Sequence, residues 1–217
     1  MPQRPTIVFD VNETLSDMAP MAERFVEVGL PAEQAALWFA SVLRDGFALS
    51  ISGTPQPFVR VAGDLLRGML PQDAGDAAVQ HVLDGFGALA VHPDVADGIR
   101  SLAAAGITMV TLTNGATAVA DGLLTRAGVR ELVSELLTVD DAPAWKPDPR
   151  SYTYAAQHLA LAPRELMLVA VHPWDIHGAH AAGLQTAFVD RGRAYPDVFA
   201  APDRTVTGIG DLAAQLT

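Results

Sequence analysis

Four polar clusters in this chain carry residue types that can do covalent chemistry: Asp10 to Thr14, Thr113-Asn114, Lys146, and His172 with Asp175. Together they supply a carboxylate, an ammonium, hydroxyls and an amide. A carboxylate can attack an electrophilic carbon and form an ester intermediate. A lysine beside it keeps it ionised and oriented, because a nearby opposite charge favours the charged form. Asp175 could position or activate water for a second half-reaction, or hold Lys146 in place, and the sequence leaves both roles open. Thr113 and Asn114 lie just before a helix start, where backbone N–H groups face an anion. His172 could bind substrate or tune a water as a base near neutral pH.

Any one of these residues alone reads as a cap or a loop residue. Their common position gives the joint reading, since each cluster falls at or beyond the end of an apolar run or in a fixed loop. Ile7-Val8-Phe9 ends at Asp10, Thr108 to Thr113 ends at Asn114-Gly115, Leu166 to Val171 ends at His172, and Thr186 to Val189 follows Gly183. Such runs read as buried strands. Helical patterns alternate with them: Val95, Ile99 and Leu102 after Pro93-Asp94; Val119, Leu123 and Leu124 up to Gly128; and Tyr152, Ala155, Ala156 and Leu159 after Asp148-Pro149. Asp148 suits an N-cap and Pro149 a first turn. Alternating strands and helices predict an α/β fold, a Rossmann-like parallel sheet covered on both faces. Ligands bind such a sheet beyond the carboxyl ends of its strands.

Residues 15–91 read differently. Helical stretches run through Phe25 and Val28, Leu37 to Leu49, Phe58 to Leu70 and Ala77 to Leu89, broken by the Gly53-Thr54-Pro55-Gln56-Pro57 loop. The expected organisation is a catalytic core of residues 1–14 and 92–217 with an inserted helical cap domain of residues 15–91.

Composition narrows the function classes. The chain has 217 residues, half of them hydrophobic, and a net charge of −11. That length suits one full core plus a smaller accessory unit. The acidic balance argues against nucleic-acid partners and anionic membrane surfaces, but allows a small anionic substrate in a locally positive pocket. With no cysteine, disulfides, thiol catalysis and thiolate metal sites are excluded. The apolar stretch after Met1-Pro2-Gln3 is too short for a signal peptide, and no run is long enough to span a bilayer, so a cytoplasmic location is expected.

The quoted motifs carry a resemblance. Asp10-Val11-Asn12-Glu13-Thr14-Leu15, Thr113-Asn114-Gly115, Lys146-Pro147-Asp148, and Trp174-Asp175 with Gly178 resemble, in order and spacing, the four motifs of the haloacid dehalogenase superfamily. The magnesium-dependent phosphatases of that superfamily carry an acid two residues after the nucleophile and a metal-binding acid four residues before the last motif aspartate. Here those positions are Asn12 and Val171. Lys146 followed by Tyr152, and the Trp174-Asp175 pair, are similar instead to the type II 2-haloacid dehalogenases.

That resemblance implies metal-free chemistry without a cofactor. Asp10 attacks C2 of a 2-haloalkanoate, halide leaves, and water cleaves the ester. Catalytic roles fall on Asp10, Thr14, Lys146 and Asp175. Substrate binding falls on Val11, Asn12, Arg44, Thr113, Asn114, Tyr152 and His172. Arg44 stands in for a cap arginine that the branch places close after an aromatic residue, because here Trp38 is followed by Phe39; Arg24 and Arg60 are weaker candidates. Trp38, Phe39 and Phe47 are expected either to wall the pocket or to fill the cap. His172 occupies a position that is usually asparagine. His177 and His180 read as a helix-surface pair, so no metal site is expected. A homodimer through the cap helices is compatible with the apolar stretch from Leu37 to Leu49.

Overall fold

The computed structural model describes residues 4–216. Met1, Pro2 and Gln3, which open the stretch read for a leader, lie outside the described residues. Ile7, Val8 and Phe9 form β1 (Thr6–Phe9) and are fully buried, as a strand covered on both faces must be. Next to it lie β2 (Met109–Thr113) on one side and β4 (Leu166–Ala170) on the other. Beyond these come β3 (Glu135–Thr138), β5 (Gln185–Val189) and β6 (Arg204–Val206). The six strands are parallel in the order β3-β2-β1-β4-β5-β6. This is a doubly wound arrangement, and its order reverses between β1 and β4. A crevice opens at such a point beyond the strand ends. Phe9 is level with Thr111 and Val169, so Asp10 and the residues after Thr113 and Ala170 emerge on one edge.

β3 and β6 were not among the strands expected. Both are short edge strands, of four and three residues, and too brief to show a periodicity.

Strand residues alternate between the two faces, and the core divides accordingly. Ile7, Phe9, Met109, Met167 and Val169 pack with α5 (Val95–Ala104), α6 (Thr117–Arg126) and α9 (Ile209–Leu216). Val8, Val110, Leu112, Leu168 and Ala170 belong to the other cluster, with α7 (Pro149–His158) and α8 (Pro173–Ala181). The Asp148 side chain caps α7 by accepting the Arg150 N–H at 2.9 Å.

Four helices fill the interval between β1 and α5: α1 (Met21–Glu27), α2 (Gln34–Ile51), α3 (Phe58–Met69) and α4 (Gly75–Gly87). They bury their own aromatic centre. Trp38 lies 5.7 Å from Phe25 and 5.9 Å from Phe86, and its indole N–H donates to the Ala62 carbonyl. Phe39 packs on Phe58 and Phe86. Trp38 and Phe39 are thus interior residues of the helical insertion, where they stabilise it by burial. The two connections between the insertion and the core pair with each other, Asp17 N–H donating to the Ala90 carbonyl and His92 N–H to the Leu15 carbonyl, both at 2.9 Å. Among the described residues, no helix is long and apolar enough to cross a membrane.

Candidate active site

Asp10 follows β1 and is almost completely buried. Its main-chain N–H donates to the Val169 carbonyl of β4, which locks the residue into the crevice. The carboxylate meets three donors. Lys146 Nζ donates to Oδ1 at 3.0 Å. The Thr14 hydroxyl (2.6 Å) and His172 Nδ1 (3.1 Å) both meet Oδ2. Burial alone would raise the Asp10 pKa, yet Lys146 and the contacts from His172 and Thr14 outweigh it and hold the carboxyl below the usual range. The Thr14 hydroxyl has one orientation available, because its oxygen already accepts the Val171 N–H at 3.1 Å.

Lys146 is fully buried and bridges two carboxylates, reaching Asp175 Oδ2 at 2.6 Å. Burial would lower its pKa, but Asp10 and Asp175 push it up, so the ammonium stays charged. A side-chain clamp sets its backbone. Asn114 Nδ2 donates to the Lys146 carbonyl (3.1 Å), and the Lys146 N–H donates to Asn114 Oδ1 (2.9 Å). The Asn114 amide therefore orients the lysine, where the sequence suggested substrate binding. Thr113 is also engaged locally, its hydroxyl oxygen accepting the Gly115 N–H at 2.9 Å.

Asp175, in the first turn of α8, is fully buried. Its Oδ1 accepts the Tyr152 hydroxyl at 2.5 Å. Tyr152 was expected to touch substrate or nucleophile; its hydroxyl instead holds Asp175. Burial pushes the Asp175 pKa up against the pull of Lys146, and the negative charge of Asp10 adds to the rise. A carboxylate so placed is a stronger proton acceptor than an exposed one. Gly178, one turn further along α8, makes room for this pair. A Cβ there would lie 2.7 Å from Pro147 Cβ, from its carbonyl oxygen and from the Tyr152 hydroxyl. Gly178→Ala should cost about 1–3 kcal/mol of stability, as overpacking does. It should also lower turnover by moving Tyr152 off Asp175. Denaturant unfolding and steady-state rates check both.

His172 sits between two carboxylates, with Nδ1 on Asp10 and Nε2 on Glu13 Oε2 at 2.8 Å. Its ring stacks on Trp174 at 4.8 Å, and Trp174 in turn meets the edge of Phe47 from α2 at 5.0 Å. Phe47 is thus the expected cap aromatic that approaches the site. Sequence reasoning quoted Glu13 within the first motif but gave it no role. A buried histidine with no assigned anion was the signal that could have found it.

Asn12 is buried, and its Nδ2 lies beside Gly115, where a Cβ would come within 3.6 Å of it. The Val11 side chain joins the core below the sheet end, so only its main chain can serve a ligand. Arg44 is not part of this assembly. Its side chain is 68% exposed and pairs with the neighbouring Asp45 at 2.7 Å. Trp38, Phe39, Val42, Leu43, Gly46 and Ser50 form the buried face of α2, and helical geometry turns position 44 away from it. Arg24 pairs with Glu27 and meets His81, and Arg60 donates to Gln56. None of the three arginines reaches Asp10. Arg44→Ala should leave kcat, KM and the melting temperature unchanged, and a large loss of activity would reverse that assignment.

A hard cation seeks several oxygen ligands. Among the described residues, no group of three or more histidines and carboxylates is placed to hold one. Lys146 occupies Asp10 Oδ1, and an apolar side chain stands at Val171. The donor set does not fit a metal. His177 and His180 are exposed on α8, and His177 Nδ1 accepts the Ala200 N–H.

A buried carboxylate at the reversal of a doubly wound sheet, neutralised by a buried lysine, can be compared with known proteins. The family model described as haloacid dehalogenase-like hydrolase matches residues 5–183. An (S)-2-haloacid dehalogenase of Pseudomonas sp. (strain YL) is 30% identical over 209 residues, covering 94% of this chain and 90% of its own. Haloacetate dehalogenase H-2 of Moraxella sp. (strain B) is 25% identical, covering 92% of each chain. The crystal structure of an L-2-haloacid dehalogenase with 29% identity superposes with a TM-score of 0.84, over 99% of this chain and 100% of that one. Sheet order, buried carboxylate and family match agree: the chain belongs to the haloacid dehalogenase-like hydrolases.

Proposed function

We propose that this protein is a metal-independent dehalogenase that hydrolyses short 2-haloacids to 2-hydroxy acids through an ester on Asp10. The observation that carries this reading is the Asp10 carboxylate itself, buried, ionised and neutralised by Lys146 where a cation would otherwise sit. Asn12 supports it, because a halide leaves as an anion and needs no acid at that position. Relatives that act on (S)-2-haloacids and on haloacetate support the substrate class.

Asp10 attacks C2 of the substrate, the new C–O bond forms, and the carbon–halogen pair leaves with the halide. Water then attacks the carbonyl carbon of the ester, with Asp175 as proton acceptor and Lys146 holding both carboxylates. The substrate carboxylate is accommodated at the N-terminus of α6, beside the Asn12 amide. The first N–H groups of a helix lack intrahelical partners and favour an anion. Residues 15–91 act as the cap over this crevice.

The test is halide release from each enantiomer of 2-chloropropionate, from chloroacetate and from fluoroacetate, with EDTA present. p-Nitrophenyl phosphate with magnesium is the control. Release that EDTA leaves unchanged is the expected result. Absence of halide with magnesium-dependent phosphate release would overturn the reading in favour of a phosphatase.

A further inference from the structure

Asp10 receives its donors unequally. Oδ1 meets Lys146 alone, whereas Oδ2 meets the Thr14 hydroxyl and His172 Nδ1. An oxygen with two donors is the weaker nucleophile and the better-stabilised anion. Oδ1 is therefore the attacking atom, and Oδ2 becomes the carbonyl oxygen of the ester.

His172 has both ring nitrogens committed, one to Asp10 and one to Glu13. A ring held between two carboxylates donates from both nitrogens, which is the imidazolium form. Its pKa supports this: burial would lower it, but hydrogen bonds to Asp10 and Glu13 push it up to about 9. With both N–H groups used and one face covered by Trp174, the ring has no donor left for a departing halide. Its charge is spent on Asp10.

Glu13 is built to hold that ring. Its backbone lies in the left-handed region at φ 61°, a cost of order 1 kcal/mol for a non-glycine residue. The Ser16 hydroxyl accepts its N–H at 3.2 Å, and the His92 ring meets its carbonyl at 3.0 Å. The charged and titratable groups around His172 are Asp10 after β1, Glu13 in the following loop, Arg193 after β5 at 3.8 Å from Glu13, and Lys146 with Asp175 beyond Asp10.

We infer that His172, positioned by Glu13, joins Thr14 as the oxyanion donor for hydrolysis of the Asp10 ester. The inference rests on the aspartyl-ester reading and deepens it. Water attacks Cγ of Asp10, and the Cγ=Oδ2 pair moves onto Oδ2, between Thr14 and His172. Asp175 takes one water proton. The Oδ2 pair then returns, the Cγ–Oδ1 bond breaks, and Oδ1 leaves with the product, receiving the proton from Asp175. Ionisation of the regenerated Asp10 carboxyl releases the second proton.

Rapid-quench measurements on the wild type, H172F and E13Q with 2-chloropropionate, the reactive hand being chosen from the wild type, test this. H172F, which keeps a ring against Trp174 but has no N–H to donate, should release about one halide per active site in a burst and then turn over about 100-fold more slowly, the scale for losing one oxyanion donor. Intact mass should show the substrate acid, less halide, esterified to Asp10. E13Q removes an anion that favours the imidazolium. The alkaline limb of kcat, which reports the ester state in which Glu13 is the remaining anion beside the ring, should lie at lower pH in E13Q than in the wild type. If H172F does not fold, the E13Q limb decides alone. Alkylation slowed as much as hydrolysis in H172F, or an unmoved limb in E13Q, would overturn the inference while halide release by the wild type keeps the dehalogenase reading. A wild type that releases no halide from any acid removes both.

Discussion

Asp10→Asn should abolish turnover, by a factor of about 10⁴ or more, as loss of a covalent nucleophile does. An amide has no anionic oxygen to attack C2, and the ester cannot form. The fold should persist. Lys146 keeps Asp175 at 2.6 Å and His172 keeps Glu13 at 2.8 Å, so neither cation is left without a carboxylate. A loss of about 1–3 kcal/mol is expected at neutral pH, from weakened charge-assisted hydrogen bonds. Its pH dependence has a definite sign. The Asp10 pKa is lower in the folded state than its ordinary value of 3.8, so the carboxylate contributes stability above that value and loses it as the pH falls further. The difference between wild type and variant should therefore narrow in acid. Halide assays and urea unfolding from neutral pH down to about pH 3 check both parts. Residual turnover close to the wild type would remove Asp10 as the nucleophile.

Lys146→Met carries the second large effect, and here stability suffers with activity. The ammonium lies between Asp10 Oδ1 and Asp175 Oδ2, wholly inside the protein. Without it, buried Asp175 has no counter-charge and Asp10 keeps only that of His172. Breaking a buried ion pair on one side costs about 3–5 kcal/mol. The pair would respond by keeping a proton, because like charges at close range cannot both ionise. The proton would settle on Asp175, whose pKa is already raised, while Asp10 keeps Thr14 and His172; a fall in kcat of about 10³-fold is expected from the lost proton acceptor and the lost orientation of Asp10. A carboxyl whose folded-state pKa is raised supports stability at low pH and loses it as the pH rises through that pKa. The deficit of Lys146→Met should therefore be largest at neutral pH and shrink on acidification. Unfolding curves at several pH values measure it. A variant as stable as the wild type at pH 7 would mean that Lys146 is not the counter-charge of this pair.

Much of the fold was legible because burial on both faces leaves a plain mark in a strand. Ile7 to Phe9, Met109 to Thr113 and Leu166 to Ala170 are runs of residues that share one environment, and their apolar character shows it. The two edge strands have only three or four residues and partly exposed surfaces, so nothing in them separates strand from loop. The site was legible to the extent that its members follow those strands. Asp10, Thr14, Lys146 and Asp175 were picked out by residue type and position, and the structure brings them into one hydrogen-bonded group.

What the sequence determined by itself was the set of chemical groups and the strand ends that carry them, because both depend on near neighbours along the chain. Partnership was decided only by the tertiary structure. Asp10 and His172 lie 162 positions apart, and Asp10 and Lys146 lie 136 apart. That Tyr152 serves Asp175, that Asn114 clamps Lys146, and that Glu13 holds His172 each depend on which donor lies within about 3 Å of which acceptor. Arg44 makes the same point from the other side. Residue type and nearness to an aromatic suggested it, yet the turn of one helix points it to water. Hydrogen bonds act over a few ångströms in space, whereas spacing along a chain measures something else until the chain is folded.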